Sequence, residues 1–167
     1  MTKTDIAYIA GIIDGEGYVG IKKTKAYPSQ GRKTPGYHAR LQVRMTHEGA
    51  IRFLADTLGG SYYREKPHSD NGKPLFCYQA SDKKARTILS TVLPYLKVKI
   101  ASAETVLALR SWQSEGKKHR TNVTGHRNFV NSHGTIRVVE NRSFSDEYVA
   151  KCEQFYLRCK ELNAVGI

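Results

Sequence analysis

Acids are scarce in this chain. Its 167 residues hold 15 aspartates and glutamates against 27 lysines and arginines, a formal net charge of +12. That shortage favours a polyanionic partner. No apolar run approaches about eighteen residues, which excludes a transmembrane helix. Nor does any stretch read as an amphipathic helix with a basic face, the arrangement that suits an anionic membrane surface. Cysteine is rare and odd in number: Cys77, Cys152 and Cys159 imply no disulfide framework. Cys152 and Cys159 lie seven apart on an expected helix and read as buried thiols. His119, His126 and His133 also recur every seven residues, but with these cysteines they form no tight ligand pair, and no zinc site is expected. The N-terminus lacks the charged-then-apolar pattern of a signal peptide. The expected setting is intracellular and reducing, a prokaryotic cytoplasm or an organelle matrix or stroma, with no membrane partner and no small-molecule substrate.

What is present concentrates at the N-terminus, in Ile9-Ala10-Gly11-Ile12-Ile13-Asp14-Gly15-Glu16-Gly17. Small residues (Ala7, Ala10, Gly11) sit among apolar ones at helical spacing. A helix with Ala10 and Gly11 on one stripe can approach a second helix closely. Such an approach brings two copies of Glu16 together at the foot of the pair. Paired carboxylates need a cation or a proton, and a hard divalent metal suits oxygen ligands.

Downstream the chain alternates helices and strands. Thr4 is a plausible cap for a helix running to about Asp14. A strand follows over 18–25, then a basic hairpin tip over 26–36 containing Arg32 and Lys33. In the next strand His38, Arg40, Gln42 and Arg44 alternate with Ala39, Leu41, Val43 and Met45. Period two means one apolar face and one basic, hydrogen-bonding face without an acid. Arginine and glutamine are the side chains that read guanine and adenine. A helix over 47–58, strands over 61–66 and 75–80, and helices from Ser81 to Leu93 and over 100–112 complete the expected core. Tyr62, Arg64 and Lys66 share one strand face, and Cys77 and Gln79 share another. Residues 113–142 read as a basic excursion, and 144–162 as a helix with an apolar stripe.

The nine-residue stretch closely resembles the LAGLIDADG signature of the homing endonucleases, with Ile at both leucine positions and Glu for the last Asp. Leu93-Pro94-Tyr95-Leu96-Lys97-Val98-Lys99 resembles a second run of that family. The resemblance implies an α+β fold of α-β-β-α-β-β-α order. Its antiparallel sheet would form a DNA-binding saddle, with helices on the opposite face and an extra C-terminal helix. Residues 1–112 would be the endonuclease core, and 113–167 an extension packed on the same domain. It further implies a homodimer, since single-motif chains of this size pair through the signature helix at Ala7, Ala10, Gly11 and Asp14. The activity implied is site-specific double-strand DNA cleavage with Mg²⁺ or Mn²⁺. Glu16 and Gly15 would ligate metal, Lys99 would act near the phosphate, and His47 would order water. Lys22, Thr24, Arg32, Lys33, His38, Arg40, Gln42, Arg44, Tyr62, Arg64, Lys66 and Gln79 would contact DNA. An intron-RNA-binding maturase or a non-catalytic DNA-binding regulator on the same scaffold are the alternatives.

Overall fold

The computed structural model describes residues 1–30, 33–66, 72–130, 132 and 134–164, with backbone alone at 30, 117, 127 and 129. Arg32, an expected DNA contact, lies outside the described residues. The first helix, α1, spans Lys3–Glu16, and its cap is Thr2 rather than Thr4. The Thr2 hydroxyl accepts the Asp5 amide at 3.1 Å, and the Asp5 carboxylate accepts the Thr2 amide at 2.7 Å. This capping box satisfies two donors that a helix start leaves orphaned. α1 runs past Asp14, so Glu16 ends it as a helical residue.

Gly17 turns the chain directly into β1 (Gly17–Thr24), which pairs antiparallel with β2 (Gly36–Met45); Gly17 lies opposite Val43, and Thr24 opposite Gly36. Then come α2 (Glu48–Leu58), β3 (Ser61–Glu65), β4 (Leu75–Ser81), α3 (Asp82–Val92) and α4 (Ile100–Ser114). The four strands form one antiparallel sheet in the order β1-β2-β4-β3. The expected α+β order is therefore present. In β2, Tyr37, Ala39, Leu41 and Val43 are buried while His38, Arg40 and Gln42 are half-exposed and Arg44 is exposed. Onto the apolar face pack Ile9 and Ile13 of α1, Ile51 and Leu54 of α2, Leu89 and Val92 of α3, and Val106 and Leu109 of α4, all buried. Each such side chain contributes roughly 1.5–3 kcal/mol. An antiparallel sheet tolerates this one-sided cover, so its other face remains available.

Residues 113–142, expected as an excursion, hold a two-stranded ribbon of β5 (Asn122–Val130) and β6 (Ile136–Ser143), with a bulge between Val123 and Gly125. The last helix, α5 (Asp146–Ala164), packs on α4 and along β1. There the Asn163 side-chain amide donates to the Val19 carbonyl at 3.0 Å. β1 is an edge strand, and covering such an edge blocks pairing with foreign chains. Cys152 and Cys159 of α5 are buried free thiols, as expected from sequence. Burial pushes them up to about 11 and about 12, so neither is a thiolate at neutral pH. Among the described residues no helix is long and apolar enough to cross a membrane.

Glu153 ties α5 to the sheet. It accepts the Tyr37 hydroxyl at 2.5 Å and lies 2.7 Å from the Lys23 ammonium. Burial opposes the charged carboxylate, but Lys23 and Tyr37 outweigh burial and hold it below its ordinary 4.5. A lowered carboxyl stabilises the fold fully above its unfolded value, and that contribution fades as pH falls toward the folded value. Glu153→Gln should therefore lower stability at pH 7 and shrink the gap to the parent as pH falls below about 4.5. Urea melts across pH 3 to 7 check this; a gap that widens in acid would refute it.

Candidate active site and nucleic-acid face

The last turn of α1 is joined to a segment more than eighty residues away. One Asp14 carboxylate oxygen accepts the Lys97 amide at 2.7 Å, and the other accepts the Lys99 amide at 2.9 Å. The Lys99 ammonium donates to the Asp14 main-chain carbonyl. Leu93–Tyr95 form a short 3-10 turn, and buried Leu96 anchors the segment in the core. Asp14, expected at a helix-helix contact, thus caps this lysine loop within its own chain. Glu16 follows two residues later, exposed at the end of α1. Gly17 is required by packing, since a Cβ there would lie 2.5 Å from the Ile13 carbonyl oxygen. Gly11 and Gly15 are different: added Cβ atoms would meet nothing within 4 Å.

Exposed Ala7, Gly11 and Gly15 recur every four residues along one stripe of α1. Ala10, expected on that stripe, is fully buried in the chain's own core. Helix rotation separates it from Gly11 by about 100°.

His47 caps α2, its Nδ1 accepting the Ala50 amide at 3.1 Å. The neutral ring must then carry its proton on Nε2. The side chain is exposed just beyond β2, at the end of the sheet where Gly17 pairs with Val43.

Cross-strand register sorts the open face. Lys22 lies opposite His38, Gln42 opposite Gln79, and Gln79 opposite Ser61. Thr24, Arg40 and Arg44 share their parity. Tyr62 and Arg64 do not: they pair with buried Tyr78 and Phe76 on the helix-covered face. The Tyr62 hydroxyl donates to Glu48 of α2 at 2.6 Å, and the Arg52 guanidinium lies 4.8 Å from its ring centre. Both residues therefore stand on the helix-covered face and not on the open face where they were expected. Lys66 follows β3 as an exposed residue outside the strand. Ser61, Tyr63 and Glu65 stand on the open face instead. The pairing of β3 with β4 was the missing signal, because alternation alone does not say which face meets the core.

The face is also less purely basic than β2 suggested. Arg44 is salt-bridged to Glu65. His38 Nδ1 lies 3.1 Å from Asp82, whose other oxygen accepts the Ala39 amide at 3.2 Å. Asp82 has a φ of 47°, a region that Asp tolerates better than most residues. Arg40 donates to Gln79 at 3.0 Å; Gln42 donates to Cys77 Sγ at 3.0 Å and to the Tyr63 hydroxyl at 3.4 Å. Lys33 donates to the Thr124 carbonyl at 3.2 Å. Beside β1 a cleft of about 650 Å³ is lined by Tyr18, Lys22, Arg40 and Gln42 and by Lys160 and Asn163 of α5. Tyr18 lies over Gly20, where an added Cβ would sit 2.4 Å from its hydroxyl oxygen. Neither Tyr18 nor Lys160 was marked by the sequence.

No protein-family model matches this sequence, and no curated protein matches it by sequence. Solved structures match its fold. The homing endonuclease I-CvuI, in complex with the I-CreI target in the presence of Mg, has a TM-score of 0.63 at 17% identity, covering 96% of this chain and 82% of that one. The archaeal intron-encoded homing endonuclease I-Vdi141I, complexed with DNA, has a TM-score of 0.56 at 13% identity, covering 92% and 98%. The LAGLIDADG homing endonuclease I-GzeII, in complex with its DNA target, has a TM-score of 0.54 at 15% identity, covering 70% and 38%. The chain has the homing-endonuclease fold.

His47 offers a separable test. Its capping bond predicts that His47→Ala costs about 1 kcal/mol of stability, while His47→Asn, which keeps a capping oxygen, costs a few tenths. Chemical denaturation of both variants decides it; equal losses would mean the cap contributes nothing.

Proposed function

We propose that this chain is a homodimeric, site-specific DNA endonuclease that hydrolyses both strands with a divalent metal. The observation that carries the reading is the placement of Glu16. It is an exposed acid at the end of α1, two residues from the Asp14 that holds Lys99. Beside it begins a sheet whose helix-free face presents Lys22, His38, Arg40, Gln42 and Gln79. The solved structures sharing this fold are described as homing endonucleases, several of them on DNA.

The residues fit a hard cation. The Glu16 carboxylate and the Gly15 carbonyl are oxygen donors at the negative end of the α1 dipole. Among the described residues no group of three or more His, Cys, Asp or Glu assembles within one chain. A second copy of Glu16, brought by a partner helix, would complete the set. The exposed Ala7, Gly11, Gly15 stripe suits that contact, since small residues permit close helix approach. A divalent metal, when bound, would supply charge neutralisation and an activated water. Lys99 keeps ammonium donors beyond the one given to Asp14 and would stabilise charge developing on the phosphate. His47, presenting Nε2–H, would order water. Arg40, Gln42 and Gln79, held by their neighbours, would read base edges.

Cleavage of a randomised duplex library with Mg²⁺ and with EDTA, followed by sequencing of the ends, tests the reading. Mg²⁺-dependent ends at one long, two-fold-related site are expected. Glu16→Gln should abolish these ends and leave duplex binding within a few-fold, because like charges are relieved. Cutting by this variant at the parent rate would remove Glu16 from the chemistry. Binding of intron RNA without DNA cleavage would favour a maturase instead.

Gly11→Leu tests the pairing. The monomer has open space at this position, and leucine favours helix over glycine. The variant should keep the parent's helical circular-dichroism signal yet sediment as a monomer. An intact dimer would place the interface elsewhere.

A further inference from the structure

We infer that the β5–β6 ribbon is a second DNA-binding arm, lying in a groove of the same duplex beyond the footprint of the sheet. The inference rests on the DNA-binding reading above. Its first support is isolation. Among the described residues the strands of the ribbon pair with each other, and the hydrogen bonds described between ribbon and body lie at the base. There the Ser145 amide donates to the His119 carbonyl at 2.8 Å, and Asn122 donates to the Phe144 carbonyl at 3.3 Å. A lone two-stranded hairpin is marginal in water. This one also exposes Val130, Ile136 and Val138, at 59%, 65% and 68%, on a single face. Such a surface calls for a partner.

Charge identifies the partner. The ribbon, residues 122–143, holds three arginines against one acid, Glu140, and Lys117, Lys118 and Arg120 directly precede it. Exposed basic groups stand on both faces of β6, Arg137 on one and, on the other, Arg142, which donates to the Glu140 carboxylate at 2.6 and 2.9 Å. A duplex groove has phosphates along both walls, and the major groove admits a two-stranded ribbon. The apolar trio would meet sugar or thymine-methyl carbons there.

Position identifies the place. β1 begins beside Glu16 and ends at Thr24, about 26 Å away at strand rise. Lys33, in the loop beyond Thr24, holds the base of the ribbon through Thr124. The ribbon therefore starts at the end of the sheet remote from Glu16, which in a dimer centred on α1 is the outer end of each half-site. Eight or so strand residues reach about 27 Å, or at most about eight base pairs.

The test compares footprints on the parent's cleavage site. In one variant, 122–143 are replaced by two glycines, a short link that the His119–Ser145 hydrogen bond makes feasible. Its footprint should shorten at both outer ends by several base pairs, with the cut positions unchanged. Arg137→Ala with Arg142→Ala removes four charges per dimer and does not depend on excision. It should make the slope of log affinity against log salt shallower by about 2 to 4. An unaltered footprint in the excised chain, or an unaltered slope in the double variant, overturns the inference. So does Ile136→Asp changing the oligomeric state while the footprint stays whole, which would assign the ribbon to a protein contact. A parent chain giving no footprint overturns the DNA reading itself, and the arm with it.

Discussion

Asp14 holds together the parts from which this site is built. Its two carboxylate oxygens accept the amides of Lys97 and Lys99, and its own carbonyl accepts the Lys99 ammonium. The acceptors at the end of α1 thereby meet the donors of a loop that would otherwise be bare. Bonds to a charged acceptor are stronger than neutral ones. The turn that carries Glu16 and the loop that carries Lys99 are thereby tied together. The same end of α1 launches β1, so the acid, the lysine and the sheet face share a fixed geometry.

On that face, acids hold neighbouring side chains in place. Glu65 holds Arg44, and Asp82 holds His38 while also accepting a β2 amide. Gln79 holds Arg40. Side chains restrained in this way lose less rotamer entropy when they meet a base edge. The acids also reduce the local field, so in the proposed complex attraction to phosphate would fall more heavily on lysines such as Lys22 and on the ribbon. α5 contributes from the side by covering the β1 edge and lining the cleft with Lys160.

Much of the scaffold was legible in the chain because its signals are local. β2 alternates with period two, and its apolar half is buried as that pattern requires. The helix-strand order and the buried thiols of α5 were legible for the same reason. Other features depend on partners distant in sequence. Tyr62, Tyr63 and Arg64 alternate correctly, yet only pairing with Phe76 and Tyr78 shows that Tyr62 and Arg64 face the helices. α1 is apolar or small nearly all round, so its sequence could not separate buried Ala10 from exposed Gly11. The ribbon was hidden because its strands carry polar and basic residues on both faces and lack a clean alternation.

The sequence by itself determined the element order outside the ribbon, the identity of the acid at the end of α1, the basic half of β2 and the excess of positive charge. These follow from spacing and composition, which act over a few residues. Tertiary structure alone decided that Asp14 grips a loop more than eighty residues away, that acids sit among the arginines, and that a ribbon stands beside the β1–β2 tip. Those outcomes turn on which residues meet across the fold, and no local periodicity encodes a meeting between distant segments.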